Sequence, residues 1–181
     1  MQRKPITILG ISPGAKYLGI AVFRGSELLD WRIKVTKGKW SNEKYRKTIE
    51  ILSEFVDRYK PDMFSVKRLH PSRSSVGLNR LVQKIIALSE KKGIRFYQYG
   101  IKELEAFFYP EGQSNKKKMA EIIASEYPAL YGELDLERRN KNLYYLRMFE
   151  AVGLGAACFR ETDGPCRNNN RCASYRQGEF Q

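Results

Sequence analysis

A stretch near the N-terminus constrains the fold of this chain more than any other. Two apolar runs, residues 8–11 and 18–23, flank a Ser-Pro-Gly turn. Short apolar runs bounded by proline and glycine are typical of buried strands, and their close spacing predicts a hairpin. Pro13 fixes φ and Gly14 permits positive φ, so the chain reverses there with little strain. Ser12 ends the first strand, where it either finishes the turn or points into a site.

Beyond this hairpin, the pattern predicts an alternation of strands and helices. Apolar and polar residues alternate over 27–35, which predicts a third strand and an antiparallel meander. Further predicted strands cover residues 63–66 and 94–99, and predicted helices run from a Ser41 cap to Tyr59, around residues 78–88, over 101–108, from a Ser114 cap to Tyr127, and over 142–159. A charged connector is expected over 129–141. This order suits several mixed α/β folds.

The composition indicates one basic domain. The chain has 181 residues, with 33 Lys and Arg against 20 acids and a formal charge of +13. Such an excess favours polyanionic partners, with nucleic acid ahead of an acidic membrane surface. We expect a domain over residues 1–162 and a basic, flexible tail over 163–181.

The sequence predicts a cytoplasmic protein with no membrane partner. No run approaches the roughly 20 apolar residues that a membrane span needs, and the N-terminal residues do not have the pattern of a signal peptide. The three cysteines, Cys158, Cys166 and Cys172, lie near the C-terminus. An odd number without a secretion signal favours reduced thiols, and their spacing is unlike that of a usual zinc site.

The N-terminal motif resembles that of a known family. The run Gly-Ile-Ser-Pro-Gly at residues 10–14, followed by Gly-Ile-Ala-Val at 19–22, is similar to the opening motif of RuvC-type Holliday junction resolvases, which belong to the RNase H-like superfamily. Lys-Pro-Asp at 60–62, followed by a short strand, resembles the family too. The resemblance covers residues 6–160. It implies an RNase H-like α/β fold: a five-stranded mixed sheet, with antiparallel hairpins and then parallel strands, and helices on both faces. It also implies a homodimer through the 78–88 helix.

The resemblance implies a site in which the catalytic acids are largely replaced. Nucleases of this superfamily use clustered carboxylates to hold two Mg²⁺ ions about 3.5–4 Å apart. The matching positions here are Ser12, Lys67, Arg147 and Glu150, of which only Glu150 is a carboxylate. His70, the single histidine, either lies at the mouth of this pocket or is a surface or capping residue.

The charge of these four residues predicts a site without metal or other cofactor. One carboxylate beside Lys67 and Arg147 leaves a net charge near +1, whereas four acids would give about −4. Each unit charge is worth roughly 4 kcal/mol to another at about 4 Å and an effective dielectric of 20, so a divalent cation is repelled. We expect Lys67 to pair with Glu150. A phosphate held by Lys67, Arg147 and the Ser12 hydroxyl is compatible with the same residues.

Basic patches predict a surface for nucleic acid, with DNA favoured over RNA. Phosphate contacts of this kind are independent of sequence and sensitive to salt. The run at 116–118 lies at a predicted helix start, where the macrodipole disfavours cations, so helix stability does not explain it. The candidate binding residues are Lys16, Lys37, Lys39, Arg68, Arg73, Arg80, Lys116, Lys117 and Lys118.

Three functions remain open from the sequence. The first is a RuvC-like protein that binds nucleic acid, branched DNA in particular, and has lost two-metal cleavage. The second is an active crossover-junction endonuclease whose Mg²⁺ site uses other carboxylates, such as Asp62, Glu103, Glu105 or Asp135. The third is a protein-interaction scaffold on the same fold, with an incidental positive charge. Junction binding and cleavage assays distinguish the three.

Overall fold

The computed structural model describes residues 4–113, 115–140 and 143–162. The predicted tail at 163–181, with Cys166 and Cys172, lies outside them. Five strands form one sheet in the order β3-β2-β1-β4-β5. They are β1 (Thr7–Ser12), β2 (Tyr17–Arg24), β3 (Glu27–Val35), β4 (Met63–Lys67) and β5 (Arg95–Tyr99). The first three pair antiparallel, whereas β4 pairs parallel with both β1 and β5. The predicted mixed sheet is therefore confirmed.

Helices cover both faces of this sheet. They are α1 (Asn42–Tyr59), α2 (Val76–Lys92), α3 (Ile101–Phe108), α4 (Lys116–Glu126), α5 (Tyr131–Arg139) and α6 (Tyr144–Thr162). One buried apolar cluster packs helices α1 and α2 on one face of the sheet. A second packs helices α3, α4, α5 and α6 on the other face. The predicted Ser41 cap is confirmed, since its hydroxyl accepts the Lys44 N–H. Among the described helices, none has both the length and the apolar character that crossing a bilayer requires.

Two predictions around α4 and α5 were wrong. Asn115, not Ser114, is the N-cap of α4, where its side-chain oxygen accepts the Lys118 N–H. The predicted charged connector over 129–141 contains a 3₁₀ turn at Pro128–Leu130 and helix α5. Leu134 is buried in the core. This helix escaped detection because its apolar positions are few and its charged ones many.

The sheet topology brings several loops together at one end. Because β3 reverses the direction of β2, it runs the same way as β1, β4 and β5. The four strands therefore end at the same side, which we call the carboxyl end of the sheet and define by Ser12, Val35, Lys67 and Tyr99. The turn at 13–16 and the loops at 36–41 and 68–75 all follow from it.

Helix α6 lies unusually close to the central strands because glycine occupies the contact positions. A Cβ on Gly10 would lie 2.2 Å from the carbonyl oxygen of Ala151, and one on Gly19 would lie 2.0 Å from that of Arg147. Both clashes involve backbone, which cannot move aside like a side chain. A Cβ on Gly155 of the helix would lie 2.4 Å from the buried side-chain ring of Phe23. The glycines thus fix how deeply the helix sits on the sheet.

Replacing Gly10 by alanine should therefore destabilise the protein. Forcing a methyl group into a filled contact typically costs about 1–3 kcal/mol, measured as the loss in the free energy of unfolding by urea denaturation. Gly132→Ala is the matched control, because that glycine lies in α5 with open space around it, and we expect its stability to be unchanged or slightly higher. Equal stabilities for the two variants would contradict the close helix–sheet contact.

Candidate functional site

Four residues from three elements meet at the carboxyl end of the sheet. Ser12 ends β1 and Lys67 ends β4, and these two strands are neighbours. Arg147 and Glu150 lie on α6 three residues apart, so both project from one side of the helix towards the strand ends. Glu150 contacts the other three directly. The residues that the family resemblance singled out thus form one cluster.

The Glu150 carboxylate is the centre of this cluster. It is 1% exposed. One oxygen, Oε2, accepts from the Ser12 hydroxyl at 2.6 Å, from Lys67 Nζ at 3.0 Å and from Arg147 Nη1 at 3.0 Å. The other, Oε1, lies 2.8 Å from Lys116 Nζ and 3.2 Å from Lys67 Nζ. Four side chains therefore satisfy one buried carboxylate, which is how a buried charge is tolerated.

Lys116 belongs to this cluster, although the sequence did not predict it among the residues of the site. It was expected in a basic patch for nucleic acid, but it also forms an ion pair with Glu150 from the first turn of α4. The described cluster therefore holds three cations and one carboxylate, a net charge of +2 rather than +1. The signal in the sequence was the unfavourable cationic run at the helix start, which an ion pair with a nearby acid explains.

The two central ionisable groups have altered pKa values. Burial alone would raise the pKa of Glu150, but attraction to Lys67, Arg147 and Lys116 outweighs it and lowers the pKa to about 2. Burial lowers the pKa of Lys67 to about 8; repulsion by Arg147 and Lys116 acts in the same direction, against the attraction of Glu150. Burial is thus the main cause of the lowered pKa of Lys67, whereas the surrounding cations are the cause of the lowered pKa of Glu150.

The donor set at this site does not fit a divalent metal. Mg²⁺ prefers several anionic oxygen ligands, and here both oxygens of Glu150 already accept hydrogen bonds from cations or a hydroxyl. Within the described ranges, no three His, Cys, Asp or Glu side chains lie close enough to share an ion. The Ser12 hydroxyl is one of these donors, since it donates to Glu150 Oε2.

The carboxylates of the rearranged-nuclease hypothesis are dispersed. Asp62 accepts the Thr7 N–H at the opposite end of the sheet, beside the starts of β1 and β4. Glu103 pairs with Arg68, Glu105 pairs with Lys102, and Asp135 lies near Arg138 on α5. His70 caps the 3₁₀ turn at Pro71–Arg73 by accepting the Ser72 N–H.

The predicted nucleic-acid-binding residues share the carboxyl end of the sheet, but their surroundings differ. Lys16, Lys37, Lys39, Arg73, Arg80 and Lys117 are exposed on the loops and helix starts that follow these strand ends. Arg68 is half-buried and forms an ion pair with Glu103 at 2.6 Å. Lys118 lies over the Tyr109 ring, with 3.6 Å from Nζ to the ring centroid.

Comparisons with known proteins agree with this architecture. The family model for crossover junction endodeoxyribonuclease RuvC matches residues 8–126. RuvC of Tolumonas auensis is 22% identical over 123 residues, which are 64% of this chain and 71% of that protein. The structure of T. thermophilus RuvC in complex with a Holliday junction substrate has a TM-score of 0.66 and 16% identity, and the match covers 86% of this chain and 94% of that one. A fowlpox virus resolvase with Holliday junction DNA has a TM-score of 0.56 and 14% identity, over 86% and 97% of the two chains.

The fold and these matches together place the chain in a family. The five-stranded mixed sheet with helices on both faces defines an RNase H-like α/β protein. Because the family model matches well over half of the chain, the protein belongs to the RuvC family of crossover junction endodeoxyribonucleases. At these low identities, the two solved structures establish the shared fold alone.

Removing the negative charge of Glu150 should destabilise the protein strongly. Glu150→Gln leaves three cations around a neutral amide, and breaking a buried ion cluster in this way typically costs about 3–5 kcal/mol. Lys67→Met should cost less, because Glu150 keeps Arg147 and Lys116, and the double variant should be more stable than Glu150→Gln alone. Urea denaturation at pH 7 measures all three. Glu121→Gln, in an exposed pair with Arg138, is the control and should change stability by about 0.5 kcal/mol or less.

Stability should also fall in acid because of Glu150. Its pKa is about 2 in the folded protein, against an ordinary value of 4.5, so the unfolded chain takes up the proton first as the pH falls. The stabilisation is complete above about pH 5 and is lost progressively between pH 4.5 and 2, with a total of about 3 kcal/mol. Denaturation curves of the wild type and Glu150→Gln should converge over this interval. Parallel pH profiles would contradict the lowered pKa.

Proposed function

We propose that this protein binds branched DNA and does not cleave it by a two-metal mechanism. The observation that carries the proposal is the environment of Glu150, the carboxylate at the family's catalytic position. Three cations and a serine hydroxyl occupy the surroundings that a pair of magnesium ions would need. The other elements of the fold, including the strand ends that form the site, are present.

The charge at the carboxyl end of the sheet supports DNA as the partner. Nine basic residues lie on the loops and helix starts of this end, and six of them are exposed. A concentrated positive surface attracts phosphates and releases their counterions on binding. The excess positive charge of the Glu150 cluster adds to this attraction. The contacts would go to the backbone, so any preference would be for the shape of the DNA rather than for its sequence.

Related proteins support the choice of a branched substrate. The T. thermophilus RuvC and fowlpox virus resolvase structures both contain Holliday junctions, and their fold extends over most of this chain. A four-way junction presents several duplex arms to one basic surface. We therefore propose a junction as the preferred ligand, ahead of linear duplex DNA and of RNA.

The homodimer expected through the 78–88 helix stays a prediction. The apolar residues Leu81, Ile85 and Leu88 of α2 are buried inside the monomer, so they would not form the contact between two copies. A dimer through this helix would have to use its outward face, which carries Arg80 and Lys84. Screening of these like charges by salt would favour such a dimer.

The proposal predicts metal-independent binding without cleavage. We expect a synthetic four-way junction to bind in EDTA, without any divalent ion, since no step of recognition requires one. The logarithm of the binding constant should fall by about 0.9 per phosphate contact for each tenfold rise in salt. Fluorescence anisotropy measures the binding, with linear duplex DNA and RNA as competitors. Gel analysis in Mg²⁺ and Mn²⁺ tests for cleavage.

Charge-reversed variants test where the DNA binds. Lys39→Glu should weaken binding by about tenfold or more at 0.1 M salt, because it converts one phosphate contact into a repulsion. Lys91→Glu makes the same change near the far end of α2, roughly 25 Å from the helix start, and should leave binding nearly unchanged. Metal-dependent cleavage of the junction by the wild type would refute the inactive assignment in favour of a nuclease. No binding at about 50 mM salt would instead favour a protein-interaction scaffold.

A further inference from the structure

Lys44 has an environment that is unusual for a lysine. It lies in the first turn of α1 and is only 7% exposed. Its ammonium donates to the carbonyl oxygen of Ala15 at 2.6 Å and to that of Gly38 at 2.9 Å. Nζ also lies 4.4 Å from the centroid of the Trp40 ring. The cation is thus held by two backbone carbonyls and an indole face.

Neither the helix nor the core accounts for this charge. A cation in the first turn opposes the helix macrodipole, and burial of the ammonium lowers the pKa of Lys44. The described part of the chain contains no acidic partner for it among its ion pairs. An apolar residue of similar length would fill the space without a desolvation cost. The carbonyl bonds are therefore what the charge provides.

These bonds join two separate loops at the carboxyl end of the sheet. Ala15 belongs to the turn between β1 and β2, next to the exposed Lys16. Gly38 lies between the exposed Lys37 and Lys39, and its φ of +90° is a backbone conformation that other residues rarely adopt. A backbone bond from the Thr36 N–H to the Lys16 carbonyl, at 2.8 Å, ties the same two segments. Lys44 therefore lies beneath three exposed lysines.

The aromatic neighbours extend the connection to α2. Trp40 stacks on Tyr45, with ring centroids 5.3 Å apart and planes 15° from parallel. The Tyr45 hydroxyl donates to the Gly77 carbonyl at 3.2 Å. A Cβ on Gly77 would lie 2.2 Å from the Trp40 ring, so the indole packs directly on the start of α2. The loop at 36–41 is held from below by the ammonium and from the side by this helix.

We propose that Lys44 is a positioning residue for nucleic-acid binding: it holds the 13–16 turn and the 36–41 loop together, so that Lys16, Lys37 and Lys39 contact phosphates as one unit. This inference rests on the proposed DNA binding. Lys44 itself touches no phosphate, because its ammonium is buried under the loops. Its contribution is to prevent the two loops from moving independently; without it, ordering the loops would cost more than their phosphate contacts return, and those contacts would be lost.

The test compares salt dependence in variants that leave the three exposed lysines intact. Junction binding is measured from 50 to 300 mM salt, by anisotropy, for the wild type, Lys44→Met and Lys47→Met. Lys44→Met should reduce the salt slope by about 2, the value for two phosphate contacts, and weaken binding by about tenfold or more at 0.1 M salt. Lys47→Met removes the same charge from an exposed ion pair with Glu43 on the same helix, and its slope should equal that of the wild type.

A double-mutant cycle adds a readout that general destabilisation would not change. Lys37→Ala with Lys39→Ala should weaken the wild type but have little further effect in Lys44→Met, because the loop has already lost its contacts. Additive effects, or an unaltered slope in a folded Lys44→Met variant, would refute the inference. Gly38→Ala provides a second route should Lys44→Met fail to fold. A Cβ there meets open space, but the positive φ is strained for alanine, so this variant should lower the slope while Tm falls by only a few degrees. A wild-type slope in Gly38→Ala would also count against the inference.

A wild type that binds no junction would refute the proposed function itself. A wild type that binds the junction, together with these negative results, would refute only the role of Lys44.

Discussion

The direct contact of α6 with the two central strands is the constraint on which the site depends. Gly10 and Gly19 leave room for the helix backbone itself, so the segment at 147–151 rests on β1 and β2 without intervening side chains. Gly19 is the cross-strand partner of Ser12. The helix backbone therefore contacts the sheet at the level where β1 ends, and Glu150 is buried there among the side chains that bind it.

The burial of Glu150 makes the charges around it the second determinant of the site. A carboxylate removed from water requires partners, and Lys67, Arg147 and Lys116 supply more positive charge than it can balance. Lys67 is the most enclosed of the three cations, and burial, helped by repulsion from Arg147 and Lys116, lowers its pKa. Such a cluster stabilises the fold only as a unit, because losing the single acid leaves like charges facing one another. The same excess favours the approach of a polyanion.

The sequence predicted the mixed sheet and the order of its strands and helices along the chain, because period-two and helical patterns are strong signals. It also brought Ser12, Lys67, Arg147 and Glu150 together, because the family motif marks the strand ends. It missed α5, whose polar composition conceals a helix that buries Leu134. It also misplaced the N-cap of α4. The cationic run at the start of α4 signalled that Lys116 needs a partner, but the sequence could not identify the partners of Lys116 and Lys44, because Glu150 and Ala15 are distant from them along the chain. No local pattern encodes such a meeting.

Both oxygens of Glu150 already have cations or a hydroxyl as partners, which limits the substitutions that could turn this cluster into a metal site. Ser12→Asp would leave the cluster with net charge +1, and replacing any one of its three cations by an acid would bring it only to neutrality. Since no single exchange of this kind makes the site anionic, a metal-binding centre lies several coordinated substitutions away. Each intermediate would have to accommodate a different set of buried charges without unfolding. The present cationic cluster and an anionic, metal-binding one are thus separated by several substitutions rather than by one.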